Sequence, residues 1–156
     1  VYRPKISAIV LTGSDAKSFL QGQLTSDVLA LSQVKSQVTS LVSLDGRVIS
    51  YGVLSLLKND YYFFVADDLL EVTRERLEKY LISEDVSIEI KKDEWSIHFS
   101  YEYCHHSESI PFFYFGLPGI ISQTSFDLPS IDEAKICIET GYLAFDDKKS
   151  LGRLIN

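Results

Sequence analysis

Several things are scarce or missing in this 156-residue sequence: it has no methionine, one tryptophan, two cysteines and four prolines. Two thiols, Cys104 and Cys137, cannot form a disulfide framework, so a reducing cytoplasm is the expected setting. Cys104-His105-His106 is a weak metal signal: adjacent histidines point apart on a helix or strand, and no second Cys/His pair has ligand spacing. A polar loop is the preferred reading there, ahead of adventitious zinc or nickel. No apolar run approaches the roughly 20 residues that span a bilayer, and no signal-peptide pattern occurs, so no membrane association is expected. With Val1 first and no Met anywhere, a trimmed start is expected. Neither a P-loop nor a G-x-G-x-x-G occurs, which leaves no phosphate-cradling glycine loop. G-x-S-x-G and H-E-x-x-H are also missing, which removes the common serine-hydrolase and zinc-protease signatures. Positive charge is in deficit: the net charge of −7 repels phosphate backbones and argues against nucleic-acid binding. The dense basic stretch of Lys148, Lys149 and Arg153 reads as a solvated face.

What is present is a globular composition, 46% apolar and 24% charged, which excludes disorder. Residues 6–11 are β-branched and short, and read as a strand. Ser14 is expected to cap a helix with Ala16, Phe19 and Leu20 on one face, and Gly22 to stop it. A second short helix is expected over 27–31. Residues 38–44 and 48–57 read as strands around the Asp45-Gly46 hairpin step. A turn at Asn59-Asp60 leads to a strand over 61–65, which completes an antiparallel meander. Asp68 and Glu71 predict a capping box for a helix with Leu70, Thr73, Leu77 and Leu81 inward and a Glu75–Lys79 pair outward. Strands over 86–90 and 95–99 are expected, split by a turn at 91–94. Residues 104–130 lack periodicity, with a turn at Leu117-Pro118-Gly119 and a short strand opening near 119–122. Residues 131–140 read as a helix ended by Gly141. Clustered strands with flanking helices predict an α+β fold with a largely antiparallel sheet, ferredoxin-like in part. The chain reads as one region over 1–156, and any subdivision would fall near 91–130.

The stretch 13–28, GSDAKSFLQGQLTSDV, resembles the opening motif of YgfZ-type folate-binding proteins, which typically read G-x-D-A-x-x-F-L-Q-G-Q-x-T-x-D-V. Downstream, the Asp45-Gly46-Arg47 hairpin and Ile138-Glu139-Thr140-Gly141-Tyr142 are similar to stretches shared with the glycine-cleavage T-proteins. The likeness implies a T-protein-like fold around a folate pocket, with the chain as the N-terminal portion. The family's K-G-C-x-x-G-Q-E motif would lie after Asn156, so the sequence is expected to be a fragment. The resemblance also implies tetrahydrofolate binding in support of iron–sulfur cluster assembly or repair, by a monomer whose partners are folate and iron–sulfur assembly proteins or clients. T-proteins carry a carboxylate in a G-G-x-x-D-D stretch that aligns with residues 46–51. Here Ser50 and Tyr51 stand in its place, and neither can act as a carboxylate near neutral pH. Aminomethyl transfer is therefore not expected.

By the same resemblance the pterin slot is lined by Val38, Tyr51, Val53, Ser55 and Val65, with Asp67 at its rim and Glu139 as the pterin-pairing carboxylate. For Val38, Val53 and Val65, ordinary core packing explains the residues equally well. Arg47 is either an exposed hairpin-tip arginine or a partner for the folate glutamate tail. Gln21, Gln23, Thr25 and Asp27 are read first as structural ties, and Trp95 as a core or subdomain-contact residue. Two other readings remain open. One is a folate-dependent aminomethyltransferase in which another carboxylate has taken over. The other is a protein-interaction domain that uses the aromatic run 112–115.

Overall fold

The structure is a computed structural model, and it describes residues 5–33, 35–99, 110–114 and 117–123. Glu139, the expected helix over 131–140, both cysteines, His105, His106 and the basic cluster lie outside the described residues. The centre of the fold is β1 (Lys5–Thr12), in which every residue from Ile6 to Leu11 is buried. A strand hidden on both faces must be apolar throughout or pair its polar side chains. Its exception, Ser7, donates its hydroxyl to Asp67 Oδ1 at 2.6 Å. Antiparallel partners flank β1 on both sides.

Next comes α1 (Ala16–Gln23), which buries Ala16, Phe19 and Leu20 as their spacing requires. Two details differ from the sequence reading. Ser14 does not cap the helix; its hydroxyl donates to Asp85 Oδ2 at 2.9 Å. Gly22 does not end it either, since the helix runs one residue further, to Gln23. The expected second helix is one 3₁₀ turn, Val28–Ala30.

The expected meander forms, with its first strand two residues earlier than expected: β2 (Ser36–Val42), β3 (Val48–Leu57) and β4 (Asp60–Ala66) pair in sequence. Gly46 takes φ +79 at the first hairpin. The second hairpin turns one residue earlier than expected, on Lys58 (φ 57) and Asn59 (φ 111), with Leu57 paired to Asp60. Two consecutive positive φ values suit the right-handed twist of a tight hairpin.

After a 3₁₀ turn at Asp67–Leu69, α2 (Leu70–Lys79) buries Leu70, Thr73 and Leu77, whereas Leu81 lies beyond its end and is only partly buried. No capping box forms: no side chain caps α2, and Glu71 accepts from Arg74 instead. The ion pairs of α2 run from Arg74 to Glu71 and Glu78, both at 3.0 Å, rather than from Glu75 to Lys79.

The two strands expected over 86–99 are one, β5 (Ser87–Phe99). Its register against β1 jumps from Ala8↔Lys91 to Ile6↔Trp95, so residues 92–94 bulge opposite Ser7. Asp93 sits in the bulge at φ 58. Bulging lets the strand bend without ending, which is why a turn-like sequence lies inside it. The Leu117-Pro118-Gly119 turn is likewise absent: those residues open β7 (Leu117–Gln123), which pairs with β6 (Ile110–Tyr114).

The sheet order is β2-β3-β4-β1-β5-β7-β6. The sheet curls until its two end strands, β2 and β6, lie side by side. Its outer face carries both helices over a core that includes Leu11, Leu20, Leu54, Phe63, Leu70 and Leu77. Its inner face gathers Ile6, Ala8, Val10, Val53, Phe64, Trp95, Ile110, Phe112 and Ile121.

Candidate functional site: the inner face of the curled sheet

The motif of residues 13–28 is a set of ties. Gly13 takes φ +117, and a Cβ there would lie 2.0 Å from the Asp85 carbonyl oxygen. Only glycine fits such a contact in that conformation. Asp85 Oδ2 also accepts the Ser14 amide at 3.2 Å, and the Asp85 amide donates to Asp15 Oδ2 at 2.8 Å. Hydrogen bonds from the Ser14 amide, then from its hydroxyl, hold the Asp85 carboxyl below the usual carboxylate range. Gln21 Oε1 accepts the Leu29 amide at 3.0 Å, and Gln23 Oε1 accepts from Arg76 at 3.3 Å. Thr25 Oγ1 accepts the Ser40 amide, and the Asp27 carbonyl accepts from Gln37 Nε2. Arg76 also donates to the Val42 carbonyl and lies 3.5 Å from the centre of the Tyr80 ring. The motif thus locks α1 to β2 and to the loop before β5, and leaves the inner face to other residues.

Alternation along β2 and β3 places Val38, Tyr51, Val53 and Ser55 on that inner face. They form a gradient. Tyr51 is 49% exposed and Val38 40%, so they make the rim, while Val53 and Ser55 are buried beneath them. Val65 is not with them: it points to the helix side and packs in the outer core. Asp67 is committed to Ser7. Arg47 stands at the hairpin tip, 85% exposed, with its Nε 2.9 Å from Asp45 Oδ2. Glu139 is outside the described residues.

Three aromatic rings that the sequence reading did not assign to the site continue this face. Phe64 and Trp95 meet edge-on with centroids 5.0 Å apart, Tyr62 and Trp95 at 5.8 Å, and Tyr62 stacks with Phe64 at 6.0 Å. Their signal was the alternation Tyr62, Phe64 within β4, legible only once the face was known. Ser36, Ser55 and Tyr62 form one cross-strand row. Ser55 Oγ and Trp95 Nε1 are buried with no hydrogen-bond partner. An unsatisfied buried donor costs about 1–3 kcal/mol, and on the inner face two of them, Ser55 Oγ and Trp95 Nε1, lie beside the aromatic rings. Flat apolar rings beside polar atoms are the kind of lining a pterin needs. The site has no carboxylate among the described inner-face residues named above, and position 51 presents a phenol at the rim. Among the described residues no cluster of three His, Cys, Asp or Glu side chains could hold a metal.

No protein-family model matches the chain. It is 32% identical over 87 residues to the tRNA-modifying protein YgfZ of Buchnera aphidicola, a match covering 56% of this chain and 27% of that protein. The YgfZ of Vibrio atlanticus is 33% identical over 87 residues, with the same shares. An uncharacterised Haemophilus influenzae protein is 30% identical over 90 residues, 57% of this chain and 31% of that one. The matches thus span less than a third of these curated relatives. The glycine cleavage system aminomethyltransferase T from Bartonella henselae superposes with a TM-score of 0.56 at 14% identity, over 74% of this chain and 38% of that one. The chain therefore has YgfZ proteins among its partial homologues and a T-protein-like fold.

Proposed function

We propose that this chain, a partial homologue of YgfZ proteins with a T-protein-like fold, binds a reduced folate on the inner face of its curled sheet and does not itself transfer a one-carbon group. The observation that carries the reading is the pair of buried, unpartnered donors, Ser55 Oγ and Trp95 Nε1, on the face that also holds Tyr51, Val53, Tyr62 and Phe64. The pterin would lie over the aromatic floor with its polar edge toward Ser55, and Tyr51 would cover it at the rim. Glu139 is proposed as the ring-pairing carboxylate and Arg47 as a partner of the glutamate tail. By the sequence resemblance Tyr51 aligns with a T-protein carboxylate, and a phenol in its place argues against aminomethyl transfer.

As the cellular role we propose an accessory protein for iron–sulfur cluster assembly or repair, acting as a monomer in the cytoplasm. Relatives carry a name for tRNA modification. The charge of −7 argues that this chain does not grip RNA directly. Among the described residues no helix is long and apolar enough to cross a membrane.

Titration with tetrahydrofolate tests the site. Quenching of Trp95 and a higher melting temperature are expected, and Ser55→Ala should weaken binding about tenfold, the equivalent of one lost hydrogen bond. No response at high micromolar tetrahydrofolate would sink the reading.

A further inference from the structure

The curled sheet is almost a barrel, and its closure is blocked at one identifiable residue. β2 and β6 are its two ends, and they lie side by side without forming a ladder. The outer edge of β2 is capped along residues 39–41. There Leu24 bridges to Leu41, the Thr25 amide donates to the Ser40 carbonyl, and the Ser26 amide donates to Thr39 Oγ1. Further along the strand that cover ends, and Ser36 faces β6. Its hydroxyl donates to the Pro111 carbonyl.

In an extended strand the N and the C=O of one residue point to the same side. The Pro111 carbonyl points at β2, so its nitrogen does too, and proline has no N–H to donate. Proline at a strand edge prevents a neighbouring strand from zipping onto it. The two ends therefore meet at a seam held by a side-chain hydrogen bond. Ser36 lies directly opposite Ser55 on the inner face. The seam thus opens onto the row that leads through Ser55 to Tyr62 and Trp95.

We propose that the β2–β6 seam is the gate to the inner face, with the Ser36–Pro111 hydrogen bond as its latch. Local opening requires separating two strand ends that share no ladder, while the rest of the sheet stays paired. The assignment of the ligand behind the gate rests on the folate reading above; the gate itself does not.

Trp95 is the chain's only tryptophan, and it reports on the inner face without any ligand. Acrylamide quenching of the full chain is the test. Ser36→Ala removes the latch and should raise the Stern–Volmer constant about twofold, because local opening becomes more frequent. Pro111→Val supplies the missing donor on the side facing β2 and should lower the constant below that of the parent protein. Circular dichroism and melting curves on both variants establish that the fold is kept. If both variants quench like the parent, the seam is not the gate. Stopped-flow mixing with tetrahydrofolate then separates the two ideas. Faster association in Ser36→Ala and slower association in Pro111→Val support gate and ligand together. Altered quenching with no folate signal leaves the gate standing and overturns the folate reading.

Discussion

Single residues in this fold are constrained where backbones touch. Gly13 and Gly52 show it most sharply, because a Cβ would lie 2.0 Å from the Asp85 carbonyl oxygen at one and 1.9 Å from the Phe64 carbonyl oxygen at the other. Gly13 also takes a positive φ. Gly13→Ala combines left-handed strain of about 1–2 kcal/mol with overpacking of about 1–3 kcal/mol. A loss in that combined range by urea denaturation is expected; a loss below about 1 kcal/mol would mean that the loop before β5 yields freely. Gly52→Ala should separate β3 from β4 and disturb Val53 on the inner face, so it should weaken folate binding as well as stability.

Asp85 adds a pH dependence. Its folded carboxyl is depressed by the Ser14 amide and hydroxyl. A depressed acid stabilises the fold above its unfolded range, about 3.9, and that contribution fades as pH falls through the folded value. Comparing melting temperatures of the parent and Asp85→Asn from pH 6 downward checks this. The parent's advantage should be full at pH 6 and shrink below about pH 4; a constant gap would rule out the carboxylate as its source.

At the scale of elements, α1 carries an unusual opportunity. Gly22 is inside the helix, and nothing lies within 4 Å of where its Cβ would be. Gly22→Ala should stabilise the protein by about 0.5–1 kcal/mol, since the unfolded chain loses freedom and no contact is harmed. A destabilised variant would show that the open space is needed.

The same glycine illustrates what a sequence conveys. Core-facing residues were legible because their spacing follows the element: Ala16, Phe19 and Leu20 on α1, and Leu70, Thr73 and Leu77 on α2, are all buried. Ends and interruptions were not. Gly22 reads as a stop when nothing says that Leu24 will bridge to Leu41 and carry the helix to Gln23. Lys91 to Glu94 reads as a turn, but both its flanks are captured by β1, so it becomes a bulge. Leu117-Pro118-Gly119 pairs with β6, and Pro118 lies just beyond the end of the β5–β7 ladder at Gly119. In the site, the family resemblance named Tyr51, Val53 and Ser55, and alternation along β3 sets them on one face. Alternation could not say that Val65 on the next strand faces the other way, since that depends on the Gly52↔Val65 register.

For the whole molecule, the arrangement sets where stability is concentrated. β1 is paired on both sides and buried on both faces, so its amides can exchange only when the sheet comes apart. β2 and β6 are the sheet's ends and share no ladder. Stability of this kind is graded, from nearly zero at frayed edges to the global value at the centre. Native-state hydrogen exchange should therefore divide the sheet. Amides of residues 8–11 should exchange with the free energy and denaturant dependence of global unfolding. Amides of residues 36, 38 and 113, which alternation points away from the paired neighbours, should exchange by local opening with little denaturant dependence, and bound tetrahydrofolate should slow them most. The prediction fails if the end strands are protected as strongly as β1 in the free protein, because the sheet would then open only as a whole. A ligand reaching Ser55 would in that case have to enter at the rim, past Tyr51 and Val38, rather than between the strands.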